Sequence, residues 1–489
     1  MQELHWKPEK KSSVPLHQQI YDYLKRKIMY GEWTVGTKIP TQRSLAKQFD
    51  VNRSTVVYAL EGLIADGLLQ TKVGSGTEVV NNTWSLLSST SSPDWKSYVS
   101  SGIYKPNIDM IQEINRAEAD PTIIRLGTGE LSPDLLPNKK MAEIFHDHYD
   151  ENFSLGYVEP KGRLSLRQAI SKYLHSKEIV ASPESILIVS GGLQALQLIS
   201  IGLLERGSTI LHETPSYLNS IHVFQSAGMN LLGVPLDMDG IKCDEIEYLK
   251  RQREAALLYT IPSFHNPTGA VMSESRRAEL LKVSQNASLP IIEDDVYREL
   301  WFDVPPPSPL KAKDPQGNVL YIGSVSKTLS PGLRIGWVVG PEPVIDRLAD
   351  IKMQTDYGSS SLSQFAVEKW ISSGLYEHFL KDIRAELKAR RDFTLQILQN
   401  YFSEIATWNI PQGGFYIWLQ LTIDTSTRTL FERALTERIL LNPGFIYDKQ
   451  NHKHLRISYS YASMEQLESG LVQLAQLIKQ KNTRFSPSE

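Results

Sequence analysis

In the stretch SVSKTLSPGLRIGW, residues 324–337, a single lysine, Lys327, follows a Ser-x-Ser pair, and Arg334 stands seven positions further on. A lysine is an ordinary surface cation, with a pKa of about 10.4, until burial or neighbouring cations disfavour its charge. The neutral amine is then a nucleophile toward a carbonyl carbon. The planar fork of Arg334 matches a phosphate, and Ser324 and Ser326 place two hydroxyls near it in sequence. Upstream, Gly191-Gly192 precedes an apolar segment with the makings of a buried helix. The amides at such a helix start form a ready phosphate site. Taken singly these residues mean little, because a lone Ser-Lys pair or a Gly-Gly turn is usually structural. Taken together they pair an amine for an aldehyde with a cradle for a phosphate.

Pyridoxal 5′-phosphate (PLP) carries both groups, together with a phenolic oxygen and a ring nitrogen, and its ring withdraws electrons only when suitably held. Asp294 can face the ring nitrogen and keep it protonated. Tyr297 and Asn266 can donate to the phenolic oxygen, and Tyr217 can stack on the ring. A strand-end aspartate or tyrosine is more often structural than catalytic, so the order of the whole set carries the reading.

The elements that must position these residues are legible as apolar runs. SILIVSGG, STILHETPSY, AALLYTIPSFHNPTG, LPIIEDDVYREL and NVLYIGSVSKTLS each deliver polar or glycine residues after a strand-like segment. Alternation of such runs with helical segments from about residue 123 predicts an α/β domain with a largely parallel sheet. Ligands bind at the carboxyl ends of strands in such sheets. Residues 185–204 contain no charge over 20 positions, as a membrane span would. Gly191, Gly192 and the interspersed polar side chains argue instead for a strand, a turn and a buried helix, so no membrane association is expected.

The chain has 489 residues, enough for two or three domains, with 41% apolar and 22% charged residues, as in a globular protein. Its one cysteine, Cys243, excludes an intrachain disulfide framework, and no apolar leader follows Met1, so a cytoplasmic location is expected. No metal site is expected. The net charge of −3 divides unevenly: residues 1–80 carry +3 and the remainder −6. A basic head on an acidic body suggests that only the head meets polyanions.

In the head, Leu16, Ile20, Leu24 and Ile28 mark one face of a helix that Gly31 ends. Thr41 is the expected N-cap of a second helix and Asn52 of a third, with Val56, Leu60 and Leu63 facing inward. LLQTKVGSGTEVV reads as a hairpin about Gly74-Ser75-Gly76. Three helices and a hairpin make an all-α head with a β wing, a winged helix-turn-helix, whose third helix points Arg53, Ser54 and Thr55 outward toward base edges. With PTQRSLA, NRSTV and GSGT in this order, residues 13–80 resemble the GntR family of bacterial regulators. The resemblance implies operator DNA as partner, contacted by Arg43, Arg53, Ser54, Thr55 and Gly76.

The body resembles class I aminotransferases, fold-type I PLP-dependent transferases, through SGGLQAL, PSY, HNPTG, EDDVY, SVSKTLSPGLRIGW and LRISYS. What this implies is PLP attached to Lys327 and faced by Asp294, with Tyr297 and Asn266 at its phenolic oxygen and Tyr217 on its ring. Ser324, Ser326, Arg334 and the amides of Gly192 and Leu193 then form the phosphate cup. It further implies that Arg456 anchors a substrate carboxylate and that Tyr157 reaches the phosphate of a neighbouring subunit, hence a homodimer. The expected organisation is a DNA-binding domain over 1–80, a Ser-rich linker over 81–119 and a PLP-binding effector domain over 120–489. Head and body together resemble MocR-type regulators, which implies a regulator sensing PLP or an amino compound, an amino acid or ω-amino acid. A working aminotransferase with an accessory head is the alternative, and the regulator reading allows a weak transaminase side activity.

Overall fold

The computed structural model describes residues 4, 6–72, 76–81, 94–102, 108–147, 156–423 and 425–480. The chain divides into two compact units, Met1–Ile103 and Tyr104–Glu489.

The first unit holds α1 (Leu16–Met29), α2 (Gln42–Phe49) and α3 (Arg53–Ala65), followed by the antiparallel pair β1 (Leu69–Lys72) and β2 (Gly76–Val79). Ile20, Leu24 and Ile28 are buried against Val56, Leu60 and Leu63 in a core of this unit's own, while Leu16 at the helix start is half-buried. Each such side chain contributes about 1.5–3 kcal/mol when fully withdrawn from water. The side chain of Thr41 accepts the Ser44 N–H at 3.2 Å and caps α2. Asn52 occupies the cap position of α3, but its side chain makes no cap bond. The Thr55 N–H is already taken by the Asn52 backbone carbonyl at 3.1 Å. Gly74 and Ser75 of the expected wing turn lie outside the described residues.

The segment expected as linker contains ordered helix. Trp95–Ser101 is helical, capped by the Asp94 side chain. Asp109–Ala117 is a second helix, and its Met110, Ile111, Ile114 and Ala117 are buried in the main core of the second unit. The body therefore begins before residue 120. The helix is polar on its remaining face, which diluted its apolar stripe in the sequence.

In the second unit, β3 (Ile124–Arg125) precedes a sheet made of β4 (Ile186–Val189), β5 (Thr209–Thr214), β6 (Asn230–Asp237), β7 (Gly240–Ile241), β8 (Ala255–Thr260), β9 (Ile291–Asp294), β10 (Val319–Ser324) and β11 (Gly336–Val339). Their spatial order is β4-β11-β10-β9-β8-β5-β6-β7, all parallel except β11 and β7. The five strands expected from apolar runs are β4, β5, β8, β9 and β10. Burial on both faces leaves no reason for alternation, so such strands read as continuous apolar runs. A smaller antiparallel sheet uses β12 (Ala406–Trp408) and β13 (Tyr416–Leu421); β14 (Ile439–Leu440) pairs with β3, and β15 (Asn442–Pro443) and β16 (His454–Ser458) complete the smaller sheet. Residues 185–204 resolve into β4 and the helix Gly192–Leu203. Among the described residues, no helix is long and apolar enough to cross a membrane.

Candidate functional site

The carboxyl ends of β4, β8, β9 and β10 open onto a cavity of about 350 Å³. Every cofactor and carboxylate residue expected from the sequence lines it except Tyr157. At one end, Gly191 caps the helix Gly192–Leu203 with φ +85°, and a Cβ there would stand 2.7 Å from Arg334 Nη2. Only glycine lets the turn and the guanidinium approach this closely. Arg334 Nη2 donates to the Ser190 carbonyl at 2.8 Å. Ser324 Oγ donates to the Ile335 carbonyl at 2.9 Å and accepts the Ser326 N–H at 3.1 Å. The Ser326 hydroxyl is buried and has no partner.

At the centre, Lys327 follows the end of β10, and its Nζ donates to the Gly129 carbonyl at 2.7 Å. Asp294 ends β9 and is buried. Its Oδ2 accepts the Tyr259 hydroxyl at 2.7 Å, whereas Oδ1 has no partner. Burial lifts its pKa to about 6, against the opposing pull of the Tyr259 hydroxyl, the Val296 N–H and the Lys327 charge. The Tyr297 hydroxyl lies 3.0 Å from that of Tyr416 and 3.4 Å from Asn266 Nδ2. Tyr217 opens a short 3-10 turn, donates its backbone N–H to the Asn266 carbonyl at 3.2 Å, and has its pKa pushed up by burial and by Asp294.

At the other end, Arg456 on β16 donates Nη1 to Asn266 Oδ1 at 2.7 Å and Nη2 to the Gly127 carbonyl at 2.6 Å. Its guanidinium lies over the rings of Tyr416 and Tyr447, 4.2 and 4.9 Å from their centroids. Arg456 Nε is buried without a partner.

Buried polar atoms without partners are rare in folded proteins. Others occur elsewhere in this chain, at Asp295, Lys352 and Trp370 among them, but three gather in this one cavity, one at each end and one at the centre: Ser326 Oγ, Asp294 Oδ1 and Arg456 Nε. A phosphate and a ring N–H are groups that would satisfy the first two and an anion the third, so the residues present fit PLP. Tyr157 is 85% exposed, with its ring against that of Tyr357 at 4.8 Å. It is not brought to the cavity of its own chain.

Sequence reasoning missed Tyr259, Tyr416 and the segment Gly127–Glu130. The closely spaced glycines of GTGE were the available signal for the last. A Cβ at Gly129 would lie 2.1 Å from the Tyr416 hydroxyl.

In the head, Arg43, Arg53 and Gly76 line one concavity of about 540 Å³. Arg53 donates Nε and Nη2 to Gln42 Oε1 at 3.2 and 2.9 Å, so this edge of its guanidinium is held against α2. Ser54 is exposed at the start of α3 and Thr55 is half-buried; neither lines that concavity.

The fold and cavity define a fold-type I PLP-dependent transferase body joined to a winged helix-turn-helix head. Residues 121–474 match the model of aminotransferase class I and II, and residues 16–79 that of bacterial regulatory proteins of the gntR family. The uncharacterized HTH-type transcriptional regulator YisV of Bacillus subtilis is 55% identical to this chain, covering 95% of it and 96% of YisV. The HTH-type transcriptional regulator NorG of Staphylococcus aureus is 36% identical over 90% of this chain and 99% of its own. Among solved structures, a multiple substrate aminotransferase from Thermococcus profundus superposes with a TM-score of 0.75 at 28% identity, over 80% of this chain and all of that one. Kynurenine aminotransferase from Pyrococcus horikoshii superposes with a TM-score of 0.74 at 29% identity, over 79% of this chain and 98% of that one. The chain belongs to the GntR family of bacterial regulators, in the group whose body is an aminotransferase class I and II domain, the MocR arrangement.

Proposed function

We propose that this protein is a cytoplasmic, dimeric transcriptional regulator that binds operator DNA through Arg43, Arg53, Ser54, Thr55 and Gly76 and senses a carboxylate-bearing amine through PLP. The observation that carries the sensing half is the trio of buried, partnerless atoms in one cavity, Ser326 Oγ, Asp294 Oδ1 and Arg456 Nε. Full-length similarity to regulators carries the other half.

When bound, PLP supplies an aldehyde that takes up primary amines and a ring that withdraws electrons. The amides of Gly192 and Leu193, with Arg334, Ser324 and Ser326, hold the phosphate. Asp294 Oδ1 would accept from the ring nitrogen, Tyr297 and Asn266 would donate to the phenolic oxygen, and Tyr217 would lie against the ring. Lys327, whose Nζ rests on the Gly129 carbonyl, would be the amine that holds the cofactor's aldehyde and that an incoming amine would displace. Arg456 then holds that amine's carboxylate in a fork geometry. The exposure of Tyr157 supports its service to a neighbouring subunit's phosphate, and hence the dimer.

Borohydride treatment of the PLP-loaded protein tests the site. It should fix the cofactor covalently on the peptide containing Lys327, read by mass, and leave Lys327→Ala unlabelled. Label on another lysine, or none on the parent, would remove Lys327 from this role.

A further inference from the structure

Six charged residues line the cavity, and four of them have tasks in the proposed function: Lys327, Arg334, Asp294 and Arg456. The other two are carboxylates. Glu118 follows the helix Asp109–Ala117, and Glu130 stands five residues beyond the end of β3. Glu118 is half-buried, and its Oε1 accepts the Thr128 hydroxyl at 2.7 Å. Its charge acts on Tyr447, the ring that lies 4.9 Å from the Arg456 guanidinium. The side chain of Glu130 is exposed at the cavity. Among the described residues, neither carboxylate forms an ion pair with a cation of this chain.

The segment Gly127–Glu130 ties these groups together. Its Gly127 carbonyl accepts from Arg456, its Gly129 carbonyl from Lys327, and its Thr128 hydroxyl donates to Glu118. Within four consecutive residues one strap therefore touches the carboxylate anchor and the lysine amine, holds one carboxylate and supplies the other. A ligand with its amine at Lys327 and its carboxylate at Arg456 would lie in the cavity that Glu118, Glu130 and this strap also line. An anionic tail there meets two like charges, and an apolar tail withdraws water from them without replacing it. A cation pairs with both.

We infer that the effector is an amino acid bearing a second cationic group, an amine or a guanidinium, which Glu118 and Glu130 recognise. The inference rests on the reading of the cavity as a sensor of carboxylate-bearing amines. The partnerless Ser326 Oγ, Asp294 Oδ1 and Arg456 Nε mark the same cavity as a ligand site independently of its acidic residues.

The PLP-loaded full chain is titrated with L-lysine, L-ornithine, L-norleucine and L-glutamate, and the cofactor absorbance is followed. Lysine or ornithine is expected to half-saturate at roughly tenfold lower concentration than norleucine, as a partly buried charge pair warrants, with glutamate weakest. In Glu118→Gln the preference for lysine over norleucine is expected to collapse toward one, and in Glu130→Gln to shrink. A response to norleucine with no preference for the cationic amino acids overturns the inference and leaves the sensor reading standing. A preference unchanged by both substitutions also overturns it. Absence of any response to all four amino acids overturns the sensor reading and the inference with it. The parent titration decides even where a variant fails to fold.

Discussion

Arg456 is 6% exposed, and its guanidinium lies across two tyrosine rings and still leaves Nε without a partner. Its charge is held out of water among neutral acceptors, Asn266 Oδ1, the Gly127 carbonyl and the Asn442 side-chain amide. A ligand carboxylate is the group that would neutralise it. Arg456→Ala is therefore expected to raise the effector concentration for half-saturation by about 30-fold or more, the loss that follows when one partner of a buried charge pair is removed. Operator binding by the head is expected to be unaffected. An unchanged effector titration would move the carboxylate contact elsewhere. Asp294 makes a pH-dependent prediction. Its folded pKa, about 6, lies above the ordinary value of 3.8. Between these values the folded protein keeps a proton that the unfolded chain releases, so Asp294 costs stability as pH rises from about 4 to 6. Above that window the penalty levels at about 3 kcal/mol. Without cofactor, Asp294→Asn should gain stability relative to the parent across this window, and saturating PLP should abolish the gain by giving the carboxylate a cationic partner. Thermal unfolding of both proteins between pH 4 and 7 checks it; a difference independent of pH would contradict the assignment.

At the scale of elements, α2 and α3 act as a pair. Thr41 caps α2, and Gln42 on its first turn receives the fork of Arg53 from α3. Arg53→Ala should weaken binding to the specific operator by ~1–3 kcal/mol, with a smaller loss on unrelated DNA. Equal affinities of variant and parent in a titration at fixed salt would remove Arg53 from base recognition. Much of the head was legible in sequence because its signals are local: the Thr41 cap and the four-residue apolar spacing of α1 each act within one or a few turns of chain. The five parallel strands were legible for a related reason, being buried on both faces. What escaped was non-local or diluted. Lys327 meets Gly129 across 198 residues, and Tyr297 meets Tyr416 across 119, so no window of sequence contains either pair. β11 was read only as the tail of the lysine segment, since a glycine and three apolar residues do not reveal an antiparallel direction. The helix Asp109–Ala117 was read as linker because its buried face is only one side of a polar stretch.

The whole molecule joins a DNA-reading unit with its own core to a unit with an intact PLP cavity, and the choice between regulator and enzyme belongs to this scale. Both uses need the same cofactor set, so the cavity alone does not separate them. They differ in what Lys327 must do. An aminotransferase needs it to exchange the cofactor and again as the base that moves a proton, whereas a sensor needs only the exchange. The Lys327→Ala protein should still bind operator DNA, because the head buries its own core of residues between α1 and β2. The decisive measurement is promoter output, taken alongside amino-acid turnover, for the parent and Lys327→Ala over a range of effector. A regulator shows output that follows effector in the parent and is fixed in the variant, with turnover far below the ~1–1000 per second of a dedicated enzyme. Turnover in that range, with output indifferent to both effector and substitution, would make the protein an aminotransferase with an accessory head.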